Sequence, residues 1–203
     1  MKLNLAERLM TNSPMRAFGL RHIEGPLLMR MAQRGKYPLC LEIGCGKGAG
    51  ARVIMDLFGA EKVLATDVDP EQIERARRGL PPGLKGRIEF RVADAMALDE
   101  PDGRFDAVFS FGVIHHMEDW RKALGEVSRV LRPGGEFFFE ELMRPFLRNF
   151  LIRGFARHPE GGMFTLMEFR EAIGDSGMEI TALRRIGGWL ILGAGRKLPG
   201  SRP

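Results

Sequence analysis

Leu41-Glu42-Ile43-Gly44-Cys45-Gly46-Lys47-Gly48 is a strand-like apolar run with a carboxylate near its end, passing directly into three alternating glycines and then into a helical pattern at Ala49. Glycine permits positive φ and lets a ligand lie against bare backbone at a helix N-terminus. The loop alone leaves the ligand open. Gly44, Gly46 and Ala49 also satisfy the G-x-G-x-x-A form of a dinucleotide fingerprint, and a tight strand-to-helix turn with no ligand needs the same residues.

Outward from this loop, apolar runs alternate with helical patterns. Strands are expected at 39–43, 62–66, 88–92, 105–111 and 136–140, with helices at about 49–58, 70–78 and 120–131. Such alternation predicts an α/β fold built of right-handed strand-helix-strand units on a mostly parallel sheet. Asp69-Pro70 reads as an N-cap followed by proline in the first turn, and Arg132-Pro133-Gly134-Gly135 as a turn leading into the fifth strand. Before the alternation, residues 1–36 read as a helical cap: Ser13 caps a helix opening at Pro14, Gly25 ends it, and Pro26 starts another reaching Arg34 and Gly35. After it, a helix at 168–176 precedes two strands at 179–186 and 189–194, joined by Gly187-Gly188 as a hairpin, which makes the last strands antiparallel.

Composition bounds the reading. With 203 residues, 44% hydrophobic and 28% charged, the chain is long enough for one domain with a sizeable core. Its division is expected to be 1–36 cap, 37–141 ligand-binding core, 142–165 insert or lid, and 166–203 terminal helix and hairpin. Cys40 and Cys45 are too few and too close to staple a fold, which points to a reducing cytoplasmic compartment. No apolar run approaches the roughly 20 residues needed to cross a bilayer, and the N-terminal residues resemble neither a signal peptide nor an anchor. The net charge of +5 is compatible with anionic lipid, nucleic acid, an acidic small molecule or plain solubility.

Two carboxylates extend the glycine loop into a site. Asp67 closes the second strand 19 residues past Gly48, near the spacing of an acceptor for ribose hydroxyls, while Asp69 is better placed to cap the next helix. Asp94-Ala95, ending the third strand, can read an adenine edge through one carboxylate and one backbone N–H; the alternative is a simple turn.

The ordered blocks Glu42-Ile43-Gly44-Cys45-Gly46-Lys47-Gly48, Asp67-Val68-Asp69-Pro70, Val92-Ala93-Asp94-Ala95, Phe105-Asp106-Ala107-Val108, His115-His116 and Leu131-Arg132-Pro133-Gly134-Gly135 resemble the class I S-adenosylmethionine-dependent methyltransferases. Within them, the likeness is to the small-molecule group that includes the ubiquinone and menaquinone C-methyltransferases. The resemblance implies a Rossmann-like seven-stranded sheet with an antiparallel last strand, and S-adenosyl-L-methionine as cofactor. It further implies that Gly44, Cys45, Gly46 and Gly48 hold the methionyl end with Glu42 nearby. Asp67 would take the ribose and Val68 the adenine face, Asp94 and Ala95 the adenine edge, and Ser110 and Phe111 would face the transferred methyl and its acceptor. A cationic ligand without phosphates suits carboxylates, whereas a pyrophosphate would need donors and bases.

Methyl transfer chiefly requires alignment and exclusion of water, so a base is needed only if the acceptor must lose a proton. His115 and His116 follow the fourth strand at the carboxyl edge of the sheet, with His115 the expected cleft-facing base and His116 the more structural of the two. Glu140 and Glu141 are expected to border the same cleft. No metal set is apparent in the sequence. The basic, phenylalanine-rich segment 144–157 is a candidate for peripheral membrane contact or an ordinary amphipathic helix. The expected partner is a small, lipophilic methyl acceptor. Nucleic acid is set aside because Ser110-Phe111-Gly112-Val113 lacks the pattern resembling exocyclic-amine enzymes and Tyr37 is the only tyrosine. A nicotinamide-dependent oxidoreductase and a catalytically silent binding protein remain alternatives.

Overall fold

A computed structural model describes residues 12–143 and 163–200. Among them a seven-stranded sheet runs in the order β3-β2-β1-β4-β5-β7-β6, with β1 Leu39–Ile43, β2 Lys62–Asp67, β3 Ile88–Val92, β4 Phe105–Phe111, β5 Leu131–Leu142, β6 Met178–Ile186 and β7 Leu190–Lys197. β1 to β5 are parallel, and β7 enters antiparallel between β5 and β6. The α/β class, the mostly parallel sheet and the antiparallel closing strand therefore agree with the sequence. The segment 144–157 lies outside the described residues.

The central strands read as nearly continuous apolar runs because both faces of the sheet are covered. Successive β5 side chains part company: Phe137 and Phe139 join Leu41, Val108, Trp120 and Phe169 in one core, while Phe138 joins Cys40, Phe58 and Phe109 in the other. α3 (Ala49–Leu57) and α4 (Pro70–Arg78) follow β1 and β2, and α5 (Trp120–Val130) connects β4 to β5. Asp69 caps α4, its side chain accepting from the Glu71 N–H at 3.1 Å. α6 (Leu166–Asp175) begins two residues before the expected start, because Thr165 and Glu168 form a reciprocal capping box.

The helical cap differs from expectation at Gly25. α1 (Pro14–Gly19) and α2 (Gly25–Met29) are joined without a break by a π-helical turn, Leu20–Glu24, and the helix stops at Met29 well short of Gly35. The Gly25 N–H reaches back five residues to the Leu20 carbonyl. This wider turn carries the chain past Pro26, which has no N–H to give. Gly25 is a point of close packing rather than a stop: a Cβ there would stand 2.7 Å from Val53 Cγ1 and 2.8 Å from the Leu20 carbonyl oxygen. Gly25→Ala would gain up to about 1 kcal/mol of helix propensity but overpack the contact with α3 at a cost of roughly 1–3 kcal/mol. Urea denaturation should show net destabilisation; a stabilised variant would mean that this packing is loose.

The second difference lies in Arg132-Pro133-Gly134-Gly135, which interrupts rather than precedes β5. Pairing jumps from Phe105 with Leu131 to Ala107 with Glu136, so the turn is accommodated inside the strand as an irregularity. Glu136, just beyond it, is fully buried and accepts from the Tyr37 hydroxyl and the Gln33 N–H.

Candidate active site

β1 has β2 on one side and β4 on the other, so strand order reverses at its carboxyl end, where open α/β sheets leave a crevice. A cavity of about 360 Å³ occupies this position. Its floor is the glycine loop, with φ of +66° at Gly44, +52° at Gly46 and +78° at Gly48. The loop is tied to β2: the Cys45 N–H donates to the Thr66 carbonyl at 2.8 Å and the Gly46 N–H to Asp67 Oδ2 at 2.9 Å. Gly48 sits at the N-cap of α3, off the cavity wall and against Phe90.

Glu42, Gly44, Cys45, Gly46, Asp67, Val68, Asp94, Ala95, Phe111 and His116 all line the cavity. Glu42 is 2% exposed, and its Oε2 finds no hydrogen-bond partner among the described residues. Burial pushes its carboxyl well above the usual range, Asp67 adds repulsion, and the Ala51 N–H opposes both. Asp67 is also raised by burial, against the pull of the Asp69 and Gly46 N–H groups, each donating at 2.9 Å. Those two bonds leave further lone-pair directions on the carboxylate for hydroxyl groups. Asp94 Oδ1 accepts from the Met96 N–H at 2.9 Å, a side-chain turn that fixes Ala95 between them.

The opposite wall comes from α1 and from the segment after β4. Arg16, Ala17 and Leu20 roof the cavity, and Arg16 is ion-paired to both Glu24 and Glu140. Arg16 and Gln72 both line the cavity, and neither carries a signal in the sequence. Arg16 precedes the loop by 28 residues and belongs to no motif, and Gln72 looks like surface helix until its burial is seen. The only legible signal was the Ser13-Pro14 cap that starts α1, where Ser13 Oγ accepts from the Arg16 N–H.

Beyond β4 the two histidines exchange their expected places. His116 lines the cavity, whereas His115 is 2% exposed and turned inward, its Nδ1 2.7 Å from Glu141 Oε2. Ser110 is likewise off the cavity wall: it is fully buried and its hydroxyl donates to Glu141 Oε1 at 2.8 Å. Glu141 is therefore a core residue rather than a cleft-bordering one. Burial pushes its carboxyl up to about 7 despite the donors around it, and Glu140 is held at about 7 by burial against the attraction of Arg16. The inward turn of Ser110 follows from strand alternation, which sends Phe111 to the cavity.

Residues 41–139 match the methyltransferase domain family. Over that stretch, just under half of the chain, the sequence is similar to a methyltransferase domain. It is 39% identical over 95 residues to 2-methyl-6-phytyl-1,4-hydroquinone methyltransferase of Synechocystis, covering 47% of this chain and 29% of that protein. It is 38% identical over 96 residues to 27-O-demethylrifamycin SV methyltransferase of Amycolatopsis mediterranei, covering 47% and 35%. The match thus spans about a third of the length of these curated relatives. Among solved structures, a SAM-dependent methyltransferase from Aquifex aeolicus superposes with a TM-score of 0.76 at 18% identity, over 97% of this chain and all of that one; at such identity the fold alone is shared.

S-adenosylmethionine is the cofactor that the methyltransferase domain implies, and the residues present fit it. Among the described residues, the cavity combines an unsatisfied buried carboxylate oxygen on Glu42, a raised Asp67, and a glycine loop open enough at Gly46 that an added Cβ would meet only Asn12 Oδ1, at 3.6 Å. Those features favour a cation with hydroxyl groups over a pyrophosphate.

Proposed function

We propose that this methyltransferase domain uses S-adenosylmethionine to methylate a small, lipophilic molecule. The observation that carries the reading is the Oε2 of buried Glu42, unpartnered among the described residues and set beside Asp67 at the mouth of β1. A buried carboxylate oxygen without a partner is costly, and a cationic ligand relieves that cost. Gly44 to Gly46 and Glu42 would hold the methionyl end, Asp67 the ribose, and Val68, Asp94 and Ala95 the adenine. When bound, the cofactor supplies an electrophilic methyl group on a positively charged sulfur.

The chain's own contribution is alignment and exclusion of water. Phe111, Val113 and Met117 give the opposite wall an apolar surface, and Leu20 closes it from the start of the π-helical turn. His116 is the one imidazole on that wall among the described residues, and in its neutral form it can take the proton of a phenol or amine acceptor. The hydroquinone and rifamycin acceptors in the relatives' names support an acceptor of this kind.

We also read the chain as one catalytic unit acting in the cytoplasm. Free, buried Cys40 and Cys45 support that compartment, and among the described residues no helix is long and apolar enough to cross a membrane. Isothermal calorimetry tests the central reading: S-adenosylmethionine should bind, and NAD should not compete. Asp67→Asn keeps the side-chain shape but removes the charge, and should weaken binding by about 1.5–3 kcal/mol, roughly ten- to a hundredfold. An unchanged affinity would remove Asp67 from the site.

A further inference from the structure

We propose that Glu141 is a positioning residue of the acceptor wall: its buried carboxylate holds the Gly112–His116 segment, and with it His116, in fixed register with the glycine loop. The inference rests on the functional reading above, and deepens it by assigning the part that places the acceptor side.

Glu141 is fully buried on β5, its backbone locked opposite Ile191 of β7. Its side chain crosses to the end of β4, where it meets four donors and the His115 ring. Oε1 accepts from the Ser110 hydroxyl at 2.8 Å, the Val113 N–H at 3.3 Å and the Ile114 N–H at 3.0 Å. Oε2 meets the His115 N–H at 3.3 Å and the His115 ring Nδ1 at 2.7 Å. Three successive backbone N–H groups converging on one anion form a nest, here filled by the protein's own carboxylate. They are the N–H groups at the start of the short 3-10 turn Ile114–His116, which has no local side-chain cap. The cap comes instead from a residue 26 to 28 positions further along the chain.

What this clamp fixes is the cavity wall. Gly112, Val113, His116 and Met117 line the cavity, and none of them belongs to a regular strand. Gly112 is tied to β5 by its N–H to the Glu140 carbonyl at 2.7 Å, and the His116 N–H donates to the Val113 carbonyl at 3.0 Å. Val113 is also the residue that crowds Gly44. A displacement of the nest would move His116 and the loop contact together. An apolar side chain would fill the same volume without the cost of burying a carboxylate. Spread over four donors and the His115 ring, the carboxylate instead supplies direction, which an alkyl group cannot, and a fully satisfied buried network rigidifies its surroundings.

The placement of His115 follows. Its ring reaches the clamp rather than the cavity, so it supports His116 from behind, with ring centroids 4.2 Å apart. Both histidines thus serve the site, one through the cavity wall and one through Glu141.

The test uses the full chain, with histidine rings and backbone amides labelled for NMR and S-adenosylhomocysteine as probe. Glu141→Gln preserves shape but offers one acceptor oxygen and turns an NH₂ group toward the nest. It should shift or broaden the amide signals of Val113 to His116 and the ring signal of His116, and leave the His22 ring unchanged. A role in stability alone would lower the melting temperature and leave the His116 ring signal in place, which would overturn the proposal. If Glu141→Gln does not fold, His115 decides. His115→Asn can still donate to Glu141 and should retain the wild-type His116 signal, whereas His115→Phe should displace it; equal signals in the two variants would overturn the proposal. Failure of wild type to bind S-adenosylhomocysteine would instead remove the functional reading, which the NMR comparison does not measure.

Discussion

Gly44→Ala is expected to lose measurable cofactor binding and to destabilise the fold by roughly 2–5 kcal/mol, the combined cost of a left-handed alanine and an overpacked contact. The backbone at Gly44 has φ of +66°, and a Cβ there would stand 2.4 Å from both Val113 Cγ1 and Cγ2. A branched side chain offers no flexible end that can swing aside. Nor can the Val113 backbone yield easily, because its N–H is bound by Glu141. The strain must therefore move the glycine loop. Gly46→Ala provides the internal comparison: φ is +52°, but among the described residues the added Cβ would meet only Asn12 Oδ1, at 3.6 Å. That variant should lose only about 1–2 kcal/mol, the left-handed cost alone. Urea denaturation would order the pair, and calorimetry would read cofactor affinity. Equal stabilities would show that Val113 is free to move and that the two walls of the cavity are not coupled.

This coupling is also where sequence reasoning reached its limit. Local chemistry was legible: the apolar runs of β1 and β4, the Asp69-Pro70 start of α4 and the Gly187-Gly188 hairpin each carry their signal within a few residues. The cofactor side of the cavity was legible for the same reason, since Glu42, the glycine loop, Asp67 and Asp94 all sit at or just beyond strand ends. The acceptor side depends on contacts distant in the chain. His115 and Ser110 turn inward because Glu141 waits for them 26 and 31 residues later. Arg16 reaches the site by a contact with Glu140 spanning 124 residues. Gly25 looked like a helix end because Gly-Pro usually breaks helices. A π turn and the packing of α2 on α3 set it otherwise, and neither leaves a local mark.

Glu42→Gln should act with opposite signs on stability and on binding, and pH separates the two. Burial holds the Glu42 carboxyl well above its ordinary value, with repulsion from Asp67 adding to the effect. For a carboxyl raised in the folded state, the stabilising contribution is fully present below the unfolded value of about 4.5 and is lost as pH rises through the folded value. Glu140 and Glu141, each near 7, act in the same direction. Glu126, lowered chiefly by Arg129, acts oppositely, its contribution being lost only as pH falls through its depressed value. The ligand-free protein should therefore lose stability between about pH 5 and pH 8. Glutamine removes the Glu42 share of that loss, so the variant should melt at least about 2 °C above wild type at pH 8 and no higher at pH 5. Cofactor binding should show the reverse. Wild-type affinity for the sulfonium should rise with pH as Glu42 releases its proton, while Glu42→Gln should bind at least tenfold more weakly at pH 8, about 1.4 kcal/mol, with a flatter profile. A variant that is less stable at pH 8 yet binds as wild type does would make Glu42 a structural carboxylate. The expected pair of signs instead describes a site that keeps an unsatisfied charge in place for a cation, at the expense of the empty fold.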